Sequence, residues 1–363
     1  MRIDDRAIAR WRFRSQLFAD RHAASAEDAV PRLLAVQAEN LGQTAWALAC
    51  RTTRRTTPVG DLIAEATLVR THVLRTTWHL VHRDDAAWLV ELTGPRLRRQ
   101  VDNQLARDHD LSGTDVDRLG EVIAATLAAE PDRTREELAT VVAAAGHTLS
   151  SMTLMVLLVR LATDGLICSG RPRVTDGRTT QTYALLAEQV PASPFSEREE
   201  ALGALAVRYF TGHGPATERD LSYWATLPLG DVRKGLAAAE GLESFDHDGR
   251  TFWHAAGEEP PAPARKPVGH LLHLLDEWYR GYQHTRMVVD ADGLHPRGRE
   301  PGLGLAVLDG QIAGLARRTV TERGLHFDVN PYRPLSRAEQ TALAAEADAY
   351  GAFLALPATI TWQ

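Results

Sequence analysis

Hydrophobic positions recur at helical spacing along residues 8–18 and again along 27–36, the second run preceded by Ser25 in the position of an N-cap. Further helices are predicted over 42–51 and, after a Thr-rich turn with Pro58, over 59–66. The period then changes. Residues 68–73 and 76–82, rich in Thr, Val and Trp, pattern as paired strands, and Asp84 and Asp85 restart a helix over 84–91. Helix, helix, helix, hairpin is the order of a winged helix, and it returns twice. Helices over 114–128, 134–145 and 150–163 precede strands at 166–169 and 181–185; the second opens on Thr134-Arg-Glu-Glu137, a capping-box signature. Helices over 197–210, 217–224 and 230–239 precede a hairpin of 242–245 with 251–254, turned at His247-Asp-Gly249. Pro191-Ala-Ser-Pro194 reads as a linker, and the Pro-rich 257–267 as the main boundary. Beyond it, strands are predicted at 286–289, 304–308, 311–318 and 325–329, with one helix over 337–352. The predicted class is α+β, mainly α. Three tandem winged-helix (helix-turn-helix) units, 1–110, 111–192 and 193–258, precede a small β-barrel or open sheet over 266–363.

Three such units suggest DNA. The third helix of the second unit, however, reads Ser151-Met-Thr-Leu-Met-Val-Leu-Leu-Val159, apolar nearly all round, whereas a base-reading helix needs polar side chains toward the groove. That helix is expected to be buried between units. This weakens the alternative reading of a non-catalytic winged-helix DNA-binding protein, whether transcription regulator or lesion binder.

Charge and composition narrow the field further. With 41 basic and 47 acidic residues the formal charge is −6, which argues against a non-specific nucleic-acid coat but leaves room for a local basic groove. All basic residues but Lys234 and Lys266 are Arg, suited to bidentate recognition of phosphate, although a GC-rich genome gives the same bias. The longest apolar run, around 154–159, is too short to span a bilayer, and Met1-Arg-Ile-Asp-Asp-Arg6 is not a secretory signal. Cys50 and Cys168 cannot build a disulfide framework. The expectation is a cytoplasmic protein, nucleoid-associated in a bacterium. There is no P-loop, G-x-G-x-x-G, G-x-S-x-G or H-E-x-x-H motif. His79-x-x-His82 on a strand points its rings to opposite faces; His270-x-x-His273 with Asp276 would share a helix face but has no obvious third ligand, so no metal is expected.

Four segments in order resemble a known family. Val69-Arg-Thr-His-Val-Leu-Arg-Thr-Thr-Trp-His-Leu-Val81 is similar to the R-T…L-R-G-T-x-H-L-V segment of the AlkZ/YcaQ-type winged-helix DNA glycosylases. Arg208-Tyr-Phe-Thr-Gly-His-Gly-Pro-Ala-Thr-Glu-Arg-Asp-Leu-Ser-Tyr-Trp224 resembles their Y…G-P-A-T…D-F-x-x-W. Leu275-Asp-Glu-Trp-Tyr-Arg-Gly-Tyr282 resembles F-D-E-Y-L-L-G-Y, and Leu308-Asp-Gly-Gln-Ile-Ala-Gly314 resembles V-D-G-R-V-V-G. The resemblance implies tandem winged helices in a C-shape with a C-terminal β-barrel, and excision of bulky or crosslinking alkylated purines from double-stranded DNA by a monomer without cofactor. It also implies a catalytic Gln-x-Gln or Gln-x-Asp. The matching position is Gln37-Ala38-Glu39, which departs from both forms: Glu keeps the carboxylate of one and nearly the length of the other.

The chemistry suits these residues. An N7-alkylated guanine is cationic and leaves without a general acid, so one carboxylate and one amide suffice: Glu39 to stabilise the oxocarbenium-like sugar and take a proton from water, Gln37 to hold that water. Residues i and i+2 share a face only in extended chain, so 36–40 must be non-helical, with both side chains in one cleft. Asn40, Arg75, Thr77, Trp78 and His79 are candidates for lining the cleft, against the commoner role of satisfied structural residues; Trp46 and Trp78 could stack on a drug moiety but are more often core. Residues 51–107 carry ten Arg against six acids, including Arg54-Arg55 and Arg96, Arg98 and Arg99. Phosphate contacts are expected foremost from the second unit's wing, Arg171, Arg173 and Arg178, and from Arg317 and Arg318.

Overall fold

The computed structural model describes residues 3–20, 22–53, 59–175, 178–296 and 303–363; Arg54, Arg55 and Pro58 lie outside the described residues, as does the side chain of Arg178. α1 (Asp5–Ser15) leads into α2 (Ala26–Leu33), β1 (Val36–Gln37), α3 (Leu41–Ala49), α4 (Val59–Ala64), β2 (Leu68–His72) and β3 (Trp78–His82). After α5 (Arg83–Asp108) the order repeats as α6 (Gly113–Ala129), β4 (Arg133–Thr134), α7 (Arg135–Ala144), α8 (Ser151–Thr163), β5 (Ile167–Ser169) and β8 (Thr182–Leu185), with a separate ribbon of β6 (Arg173–Thr175) and β7 (Arg178–Thr180) before β8 and a short α9 (Leu186–Gln189) after it. The third repeat is α10 (Arg198–His213), α11 (Glu218–Trp224), α12 (Leu229–Ala238), β9 (Leu242–His247) and β10 (Arg250–Ala255).

The repeats share sheet connectivity as well as order. In the first the strand order is β1-β3-β2 and in the second β4-β8-β5, so each time the short first strand pairs with the last. The third keeps the same link as a single bridge, Ala216 to Trp253. Caps set the helix starts: Ser25, Asn40 and Ser150 each accept a backbone N–H, and reciprocal capping boxes stand at Ser112/Asp115, Thr134/Glu137 and Thr217/Asp220.

The cores cut across the repeats. Val69 and Val81 of the first sheet and Val73 just after β2 pack with Trp88 and Leu89 of α5, Leu205 and Tyr209 of α10, and Trp224 of α11. The far half of α5 instead joins the second repeat's core through Val101 and Leu105. α8 is buried along Leu154, Val156, Leu157 and Leu158, leaving Met152 and Met155 exposed. α5 runs well past the predicted end near residue 91. Thr93-Gly-Pro95 is a breaker in isolation, but Gly94 lets α5 pack on the end of α8, where its missing Cβ would lie 2.5 Å from the Thr163 carbonyl.

The C-terminal part comprises β11 (Gly269–Leu272), α13 (Glu277–Arg280), β12 (Gly304–Leu308), β13 (Gln311–Thr321), β14 (Gly324–Pro331), α14 (Arg337–Leu354) and β15 (Ala358–Trp362). Two expectations are corrected here. Residues Arg286–Val289 form a 3-10 helix, not a strand. The sheet, β11-β12-β13-β14-β15, is open, with no closed barrel among the described residues. α14 packs on it, and β15 then joins β14 in parallel, leaving β11 and β15 as separate edges. Its core takes in Ile8 and Phe13 of α1 and Trp46 of α3. The C-terminal sheet is thereby fixed to the element that follows β1.

Gly94→Ala should destabilise the protein by about 1–3 kcal/mol through overpacking, although the same change in an exposed helix gains about 1 kcal/mol. A lowered urea midpoint checks this; a raised one shows that α5 and α8 can separate.

Candidate active site

Leu34, at φ 66°, ends α2 and turns the chain into the extended β1. Segment 36–40 is non-helical: two strand residues, then a bend that ends where Asn40 caps α3 by accepting the Gln43 N–H at 3.0 Å. β1 pairs with β3 on one side only, Gln37 opposite His79, and the Ala38 N–H donates to the Trp78 carbonyl at 2.7 Å. Its other side is a sheet edge, whose backbone groups need partners when buried. The Gln37 N–H donates to Glu277 Oε1 at 3.0 Å, and the Gln37 carbonyl accepts from Thr44 Oγ1 at 3.2 Å. Gln37 is 4% exposed, and its Oε1 has no hydrogen-bond partner among the described residues.

Two residues on, Glu39 is exposed, and its Oε1 accepts the Trp78 N–H at 2.9 Å. It lines a cavity of about 560 Å³ between the first and second repeats, with Asn40, Leu41, Asp61 and Arg70 on one side and Gly170, Pro172 and Gln181 on the other. Gln37 does not line this cavity, so the expectation of one cleft holding both side chains is corrected: β1 buries Gln37 while Glu39, past the strand end, is exposed. Arg70 joins the two sides: Nε donates to the Ala38 carbonyl at 2.9 Å and Nη1 to Gln181 Oε1 at 2.6 Å, while the guanidinium lies 4.4 Å from the Trp78 ring centre. Burial brings the Arg70 pKa down to about 10, with Glu39 opposing the shift.

Behind β1 sits a buried charge cluster that the sequence reading passed over. Glu277 Oε2 accepts the Trp224 indole N–H at 2.8 Å; Arg75 Nη2 lies 3.7 Å from Oε1, and His213 Nε2 lies 3.6 Å from Oε2, beyond good hydrogen-bonding length. Burial alone would raise the Glu277 pKa, but its polar neighbours hold it down at about 2. The adjacent Asp276 is bound by Arg51 through two bonds of 2.6 and 2.9 Å, both side chains being buried. The signal was present: two adjacent acids in the apolar run Leu274-Leu275-Asp-Glu-Trp-Tyr279 must each find a buried partner.

The other predicted residues divide. Arg75 joins the buried cluster, donating to the Trp224 carbonyl at 3.0 Å, with Nη2 3.2 Å from His79 Nε2. His79 is fully buried, and burial pulls its pKa down to about 3, so the ring is neutral. Thr77 is half-buried beside it. Trp78 is half-buried and packs on His72, whereas Trp46 is core, stacked on Tyr350. Just before β6, Arg171 is exposed and donates to the Ala64 carbonyl at 3.4 Å, while Arg173 on β6 is engaged by Glu137 at 2.9 Å. Arg317 and Arg318 border a separate cavity with Gln43 and Trp46; Arg318 donates to the Tyr350 hydroxyl. His270 lies on strand β11 beside Glu346, and His273 follows that strand, so the expected shared helix face does not exist. No group of three metal-ligating side chains occurs among the described residues. No helix among them is long and apolar enough to cross a membrane.

Repeated helix-rich units followed by a five-stranded sheet frame the comparison with known proteins. The family model for AlkZ-like DNA glycosylases matches residues 30–353, and the chain belongs to that family. The interstrand DNA cross-link repair glycosylase of Streptomyces sahachiroi is 28% identical over 243 residues, 62% of this chain and 62% of that relative, so the match spans less than two thirds of either. The solved structure of the Streptomyces sahachiroi DNA glycosylase AlkZ matches over 100% of both chains with a TM-score of 0.76 at 22% identity, a likeness of fold.

His72 and His79, both held near 3 by burial, are neutral in the folded state but titrate near 6.5 when unfolded. Below pH 6.5 the unfolded chain therefore binds more protons, and stability falls as pH drops toward the folded values. His79→Gln should remove about 1.4 kcal/mol per pH unit from that slope between pH 6 and 4. Urea unfolding across this range checks it, and an unchanged slope would mean that His79 protonates while folded.

Proposed function

We propose that the chain is a monofunctional DNA glycosylase. Its substrate would be a bulky N7-alkylated purine in double-stranded DNA, an antibiotic adduct or a crosslink, removed in base excision repair or in self-resistance to a DNA-alkylating natural product. The observation that carries the proposal is Glu39. It is an exposed carboxylate two residues from Gln37 in non-helical chain, held by a backbone N–H at the mouth of a cavity between two repeats, in a chain of the DNA glycosylase family.

In the proposed reaction the C1′–N9 bond breaks and its electron pair neutralises the cationic purine, so no acid need protonate the leaving base. Glu39 stabilises the positive charge on the sugar, and water adds to C1′ while giving its proton to Glu39. Gln37, buried outside the cavity with an unpartnered Oε1, is assigned to orient that water and must turn toward the cavity to do so. A lyase route through a Schiff base needs an amine nucleophile, and neither Lys234 nor Lys266 lines the cavity.

We read the three repeats, 1–110, 111–192 and 193–258, as tandem winged helices in a C-shape around the duplex, with 266–363 as an appended domain. Asn40, Arg75, Thr77, Trp78 and His79 are retained as the surroundings of the lesion site. Arg75 and His79 would act from the buried layer and not by touching DNA. Arg171, Arg173, Arg178, Arg317 and Arg318 are the proposed phosphate contacts. The protein is read as a cytoplasmic monomer.

The test is a duplex carrying an N7-guanine adduct, incubated with parent protein, Gln37→Ala or Glu39→Ala and then cleaved with alkali. The parent should yield strand breaks, and Glu39→Ala should be slower by about 10²–10³, the usual loss on removing one electrostatic partner. A mobility shift without abasic sites would identify a binder instead.

A further inference from the structure

Glu277 is a buried carboxylate that the reaction itself does not use. Each of its oxygens takes a different N–H: Oε1 from the Gln37 backbone at 3.0 Å and Oε2 from the Trp224 indole at 2.8 Å. It reaches the outer edge of β1 from the other end of the chain, and the strand it meets has only two residues. With β3 on the inner side and Thr44 on the Gln37 carbonyl, that contact completes the support of the strand. Arg75, 3.7 Å from Oε1, and His213, 3.6 Å from Oε2, flank the carboxylate, and the neighbouring Asp276–Arg51 pair fixes the segment carrying it.

We propose that Glu277 is a positioning residue for base excision: its carboxylate sets the placement of the Gln37 backbone, and through it the Gln-x-Glu motif, relative to the scissile bond. The inference rests on the reading that Gln37 and Glu39 act on the glycosidic bond.

The chemistry of the side chain yields a specific test. A carboxylate offers two acceptor oxygens and no donor, so it satisfies both N–H groups. The amide in Glu277→Gln has one acceptor; its NH₂ must then face either Gln37 or Trp224, donor against donor. Removing the indole N–H with Trp224→Phe resolves the competition and frees the amide oxygen for Gln37.

The measurement is single-turnover release of an N7-alkylguanine from duplex DNA, with the Kd for an abasic duplex determined alongside. Glu277→Gln should excise at least tenfold more slowly with Kd within twofold of the parent. The Glu277→Gln/Trp224→Phe variant should recover at least fivefold over Glu277→Gln. A merely structural role would weaken rate and affinity together, and adding a second core substitution would not restore the rate. Excision by Glu277→Gln within twofold of the parent, or a double variant no faster than the single, overturns the proposal while leaving the glycosylase reading intact. A parent protein that releases no base overturns that reading instead. Hydrogen exchange of the Gln37 amide in the parent keeps the test open if variants do not fold: slow exchange is expected, and an amide exchanging as fast as an open edge strand overturns the contact.

Discussion

One carboxylate placed where water cannot reach constrains the rest of this molecule. Burying an ionised Glu is strongly unfavourable unless donors replace its hydration. Glu277 finds two, one on β1 and one on α11, and each belongs to a different repeat. The first and third repeats and the C-terminal segment are therefore held to one another by a polar contact with a defined geometry, in addition to the apolar core they share around Tyr209 and Trp224. Apolar packing tolerates small slides between surfaces; a carboxylate with a fixed donor on each oxygen does not.

The same logic governs the other segments that carry the family resemblance. Asp220 accepts from the Thr217 and Thr285 backbone and hydroxyl groups and from the Gln283 backbone, tying α11 to the chain after α13. Arg208 holds Asp85 through two bonds, at 2.7 and 2.8 Å, and also the Pro31 carbonyl, which joins α10, α5 and α2. Arg12 reaches Pro215 and Thr285. Asp220, Arg208 and Glu277 all fall within segments that carry the resemblance. Each such contact is demanding, because removal of one partner strands the other in the interior.

Local order was legible because it depends on nearby residues. The capping box at Thr134, the Ser25 cap and the hairpins before α5 and after α12 all follow from short-range spacing. What escaped depended on distant partners. α5 continues through Thr93-Gly-Pro95 because Gly94 meets α8, about seventy residues on. β11 and β15 were missed, and the sheet stays open because α14 packs on it and β15 joins in parallel. At the site, the sequence singled out Gln37 and Glu39 but not their unequal surroundings: one buried beneath Glu277, one exposed in the cavity. His79 was a cleft candidate; it is fully buried, with Arg75 3.2 Å from its ring and the Glu277 carboxylate acting on it, partners that strand alternation cannot foresee.

That inequality bears on the proposed division of labour. A group that stabilises charge on a sugar works best when it is already oriented, so that nothing has to reorganise as charge develops. Glu39 has one oxygen committed to the Trp78 N–H and the other left for a ligand, which orients it without removing its accepting capacity. The cations around it are not equivalent either. Arg70 is committed to Ala38 and Gln181 and acts on Glu39 from a fixed place, whereas Arg173 must give up Glu137 before it can take a phosphate. Arg171, exposed and held by a single long bond to Ala64, has the least to surrender. Within the proposed duplex-binding role Arg171 therefore has less to give up than Arg173.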